Sequence, residues 1–97
     1  MSFRLPGLPD NGFDVLEYEM LAEKASSLGR TEHRMRDALK VLRENTREGR
    51  QARLLKDAAD AVYAYFIQRE LCGMRRHDDI IREYDIPRQV LARLGAR

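Results

Sequence analysis

The sequence predicts an all-α fold: an antiparallel hairpin of one long and one medium helix, closed by two short C-terminal helices and self-associating. Three observations carry this. Tyr18, Ala25, Glu32 and Leu39 recur every seven residues, and Leu21, Leu28, Met35 and Leu42 repeat three places on, which are the a and d positions of a coiled-coil-like seam. Between Ala58 and Ile67 only Asp60 is charged, so a second helix is apolar on much of its circumference and must be covered by more than one neighbour. No stretch alternates apolar and polar residues as a half-buried strand would.

The elements follow in order. Residues 1–13 hold Pro6-Gly7 and Asn11-Gly12 as turn signals, so they read as an extended arm, with Phe3, Leu5, Leu8 and Phe13 to dock on a neighbouring groove. Residues 14–97 read as a single helical domain. Asp14 with Glu17 forms a D-x-x-E capping box that opens the long helix. From Val15 to Leu42 such a helix runs roughly 45 Å, against about 30 Å across a compact sphere of this size. It must bend, or project and find a partner. Gly29, beside Ser26 and Ser27, marks where a kink would fall, although the seven-residue period keeps its phase past it.

Asn45 to Arg50, NTREGR, reads as the hairpin turn. Gln51 to Cys72 reads as the second helix, with Leu55, Ala58, Val62, Tyr65 and Cys72 on one line and Leu54, Ala59, Ala61 and Phe66 widening it; Gly73 is its natural terminator. His77 to Tyr84 supports a short helix with Ile80, Ile81 and Tyr84 inward. Asp85 then reads as the cap of a last helix with Pro87 in its first turn and Val90, Leu91 and Leu94 facing the core.

Ninety-seven residues suffice for one core, near the size at which oligomerisation contributes to stability. A net charge of +2 is spread as −1 over residues 1–44, +1 over 45–72 and +2 over 73–97, so no basic half points to nucleic acid. Fifteen arginines against three lysines fit a GC-rich genome as well as anion recognition. A lone cysteine, Cys72, fits a reducing compartment, which makes the cytoplasm the expected location. No apolar run is long enough for a membrane span, and no export signal is evident.

Candidate chemistry is sparse. The pair of short helices over 77–94 has the outline of a helix-turn-helix, with Arg88, Gln89 and Arg93 as nucleic-acid contacts, although Asp85 stands where many such turns carry glycine. Cys72 with His77 is a nucleophile and base on paper, but no third orienting group accompanies them. His77, Asp78, Asp79 and the distant His33 lack metal-ligand spacing. Arg43, Arg47, Arg50, Arg53 and Lys56 make the most basic spot, read as a solvated hairpin tip. Glu32, a carboxylate in an apolar seam, calls for a partner such as Arg69 or an arginine of another chain, and paired polar groups at seams set register or oligomer state. Arg69 and Glu70 read as ion-pairing with the long helix.

The stretches DVLEYEMLAEKASSLGR at 14–30 and QRELCGMRRHDDIIREYDIPRQVLARLG at 68–95 resemble a family of short uncharacterised alpha-proteobacterial helical proteins, a domain of unknown function. The likeness rests on Q-R-E-x-C-G and Y-x-I-P. It implies a small bacterial cytosolic helical protein and brings no activity, cofactor or site residue with it. The expectation is therefore a non-enzymatic interaction or scaffold protein, a homodimer, with no catalytic, metal or cofactor site. Its seam is Tyr18, Leu21, Leu28, Glu32, Met35, Leu39 and Leu42. A nucleic-acid-binding regulator is the alternative, and a small helical enzyme the weaker one.

Overall fold

The computed structural model describes residues 12–96. The expected docking of Phe3, Leu5 and Leu8 lies outside them. Four helices follow one another: α1 (Gly12–Glu44), α2 (Glu48–Leu71), α3 (Asp78–Glu83) and α4 (Arg88–Leu91). α1 and α2 form the antiparallel hairpin, and the C-terminal segment folds back over it. The described residues contain no strand.

α1 starts at Gly12, so Asp14 sits inside its first turn and is not the cap that the D-x-x-E pattern predicts. An acidic group there still favours the positive end of the helix dipole. The helix runs unbroken through Gly29. Arg30 spans the SSLG stretch, donating from Nη1 to Ser26 Oγ at 2.9 Å and from Nη2 to Ser27 Oγ at 2.9 Å and Glu23 Oε1 at 3.2 Å. These bonds, one and two turns apart on one face, staple the segment where glycine costs most.

The hairpin turn is shorter than NTREGR suggests. Only Asn45, Thr46 and Arg47 leave helical geometry; Glu48, Gly49 and Arg50 already belong to α2. Asn45 closes the turn through its amide: Oδ1 accepts from the Arg47 N–H at 3.1 Å, and Nδ2 donates to Arg47 O and to Gln51 Oε1, both at 2.9 Å. An asparagine supplying its own backbone mimic removes the need for glycine. At the other end α2 closes as a Schellman motif. Gly73 takes φ +89, its N–H donates to Glu70 O at 3.0 Å, and the Met74 N–H donates to Arg69 O at 2.9 Å.

Met35, Leu39, Val62 and Val90 are fully buried, and Leu42, Leu54, Leu55, Ala58, Ala59, Ala61, Tyr65 and Phe66 join them. The predicted faces of α2 are thus the observed ones, except Cys72, which is only half-buried. The core also takes Ile80 and Ile86. Ile86, read from sequence as part of a stop signal, is buried because the turn between α3 and α4 points it inward.

That turn corrects a second expectation. Asp85 is not a cap but the residue in left-handed geometry, φ +49, where a short polar side chain is tolerated in place of glycine. Pro87 takes the cap position, and α4 is a single turn. The molecule is elongated, 66 × 24 × 22 Å. Glu32 faces Tyr65 across the hairpin, so by equal rise Leu71 lies level with about residue 26 of α1, and residues 12–25 project past α2 by about 21 Å. The long helix resolves its mismatch by projecting, not by bending.

Candidate functional site

Along α1 the seam divides in two. Met35, Leu39 and Leu42 are buried against α2, and Leu28 packs on the edge of that core. Tyr18 and Leu21 are exposed, Leu21 to 60 %, as are Val15, Leu16 and Met20. Five large apolar side chains within seven residues of one helix have no cover among the described residues. A seven-residue repeat drifts by about 20° per heptad on a straight helix, so the projecting half of the seam is the same stripe carried round slightly, as a supercoiled pair requires.

At the base of this arm sits a polar cluster. Glu32, the polar a position, does not pair with Arg69. Its Oε2 accepts from two phenols, Tyr65 of α2 at 3.1 Å and Tyr84 at the end of α3 at 2.9 Å. Tyr84 is held to α1 at two further points. Its ring lies under the Arg36 guanidinium, 5.5 Å from the centroid, and its backbone carbonyl accepts from Arg43 Nη2, which also reaches Asp85 O at 3.5 Å. Glu32, Arg36 and Arg43, at i, i+4 and i+11, share one face beside the seam. A single tyrosine thereby straps the C-terminal segment along three turns of α1.

Arg69 does the matching work from α2, and not toward α1 as the sequence suggested. It is 7 % exposed. Its Nε donates to His77 Nδ1 at 3.2 Å, its Nη2 donates to Arg76 O at 2.9 Å and lies 3.8 Å from Asp79 Oδ1, and its guanidinium sits over the Tyr65 ring. His77 stacks on Phe66 with the rings 4° from parallel and 4.1 Å apart, and its Nε2 lies 2.9 Å from Glu70 Oε2. Since Nδ1 accepts, Nε2 carries the proton and donates to Glu70. Both ring nitrogens are engaged, so His77 has none to offer the Cys72 thiol. Nor do the described residues hold a group of three metal-ligating side chains.

Burial raises both the Tyr65 and the Tyr84 hydroxyl above the ordinary tyrosine value of 10.0, and the Glu32 carboxylate adds to the shift by favouring the protonated donor; for Tyr65 the Arg69 guanidinium opposes it. A raised folded-state value means that the stability these phenols contribute is complete below the unfolded value and lost as pH climbs through the folded one. Thermal melts should therefore show Tm falling once pH passes about 10. The decline should be shallower in Glu32→Gln, which removes the charge but keeps an acceptor. A slope unaltered by that change would contradict the cluster.

The DNA-reading candidates lie elsewhere. Arg88 and Gln89 are exposed on one-turn α4, and Arg93, beyond its end, donates from Nη1 to the Gln89 carbonyl at 2.8 Å. Sequence reasoning missed the Tyr84 strap entirely, although the line of Glu32, Arg36 and Arg43 beside an apolar seam was its visible signal.

No curated protein and no solved structure matches the chain. No described helix is long and apolar enough to cross a membrane. Over residues 6–97 the sequence matches the profile described as Family of unknown function (DUF6665), and the chain belongs to that family.

Proposed function

We propose that this protein is a non-enzymatic interaction module of the reducing cytoplasm that assembles with a second copy of itself through the projecting half of α1. The observation that carries the reading is the unpartnered half-seam of Tyr18 and Leu21, continuous in phase with the half that builds the hairpin core. Covering a half-exposed large apolar side chain is worth about 1 kcal/mol, so five on each of two arms supply roughly 10 kcal/mol gross. That is enough to oppose the entropy lost on association. The free Cys72 supports the reducing compartment. Nucleic-acid binding through Arg88 and Gln89 has less support, because a one-turn α4 puts only about 6 Å of helix into a groove.

Because Leu21 touches no part of the core, Leu21→Asp separates assembly from folding. Light-scattering mass should be that of a dimer for the wild type and a monomer for Leu21→Asp, with the helical signal of the hairpin retained. A wild-type mass equal to that of one chain would end the proposal, and so would a variant that stays dimeric.

A further inference from the structure

A second unpartnered apolar surface lies on the same end of the molecule. Tyr63, Ile67 and Leu71, at i, i+4 and i+8 of α2, are all exposed, Leu71 to 61 %, and Met74 continues the line beyond Gly73. Ile67, Glu70, Leu71 and Arg75 line a shallow groove of about 450 Å³ there. Gly95 backs onto the Tyr63 ring, where an added Cβ would lie 3.5 Å from the ring edge, so the C-terminal turn fixes the upper end of the stripe.

We infer that this stripe is the dock for the projecting arm of a second copy, so that two molecules exchange arms around a two-fold axis. The inference rests on the self-association reading above and names the surface that the reading leaves open. Two observations choose the occupant. The first is charge. Residues 12–25 carry Asp14, Glu17, Glu19 and Glu23 against Lys24 alone, a net −3, whereas residues 67–76 carry Arg69, Arg75 and Arg76 against Glu70, a net +2. Arg75 and the nearby Arg82 make no ion pair among the described residues. Arm against arm would set −3 on −3; arm against the α2 end sets −3 on +2.

The second is length. Val15 to Leu21 covers about 9 Å and Tyr63 to Leu71 about 12 Å of helix. A two-fold axis at the level where α2 ends, near residues 26 and 71, pairs positions equally far from it. Leu21 then comes level with residue 66, beside Ile67 of the partner subunit, and Tyr18 comes level with Tyr63 of the partner subunit. Both apolar rows are consumed in one isologous interface, and neither copy is left with a free arm to propagate a chain.

The test uses full-length protein carrying Cys72→Ser as background. Leu21→Cys protein mixed with Ile67→Cys protein should give a disulfide-linked mixed dimer on mild oxidation, and Leu21→Cys alone should give little. Leu71→Asp, exposed and remote from the core, should raise the dimer Kd at least tenfold with the helical signal unchanged. If the wild type is a dimer but Leu71→Asp remains one and Leu21→Cys links to itself, the arms pair with each other; the dock is then wrong while the self-association reading stands. A wild type that is monomeric at all concentrations overturns both.

Discussion

Met35→Asp should leave the chain unfolded at 25 °C. Met35 is fully buried between α1 and α2, and a carboxylate there loses its hydration with no cation within the hairpin core to meet it. The removed packing costs about 3 kcal/mol, and the stranded charge or its forced protonation adds several more. A domain of this size has about 5–15 kcal/mol of stability in all. Circular dichroism should show lost helix, and Met35→Leu, which nearly conserves volume, should stay within about 1.5 kcal/mol of the wild type. A folded Met35→Asp protein would mean that the hairpin is not the core.

Glu32→Ala is expected to cost about 3 kcal/mol, measured by chemical denaturation at fixed protein concentration. One carboxylate oxygen takes the hydroxyls of Tyr65 and Tyr84, and hydrogen bonds to charged groups contribute about 1.5–3 kcal/mol each, less where water has partial access. Removing it strands two phenols at the meeting of α1, α2 and α3. Glu32→Gln keeps an acceptor and should cost only about 1 kcal/mol. The alanine variant should also loosen Tyr84, so proteolysis between α3 and α4 should speed up before the hairpin opens. Equal stability of the alanine variant and the wild type would show that the cluster contributes nothing.

The hairpin was legible because its signals are local and periodic. The seven-residue seam placed Met35, Leu39 and Leu42 in the core, and the wide apolar face of α2 followed from Leu54 to Phe66. The Gly73 terminator could be read because left-handed geometry leaves few residue choices. What escaped was long-range pairing of polar groups. Glu32 demanded a partner, but an arginine was the obvious guess, and nothing local says that two tyrosines 33 and 52 residues away converge on one of its oxygens. Arg69 was assigned to the wrong side of α2, since an ion pair has no periodicity to fix its direction. At Asp85 the turn chemistry was misjudged, because aspartate suits both a cap and a left-handed turn. Of the candidate site, the seam was legible as a stripe. Where it stops being intramolecular was not, for that depends on where α2 ends relative to α1.

The central claim is that the projecting half of α1 is finished by a second copy. An isolated helical arm of about 15 residues is marginal in water and frays within microseconds. Hydrogen exchange along α1 at high and low protein concentration tests this most directly. Amides of residues 15–26 should be protected at the concentration where the protein is dimeric and become fast-exchanging on dilution, while residues 28–44 stay protected throughout. Protection of 15–26 that does not change with concentration would contradict the claim.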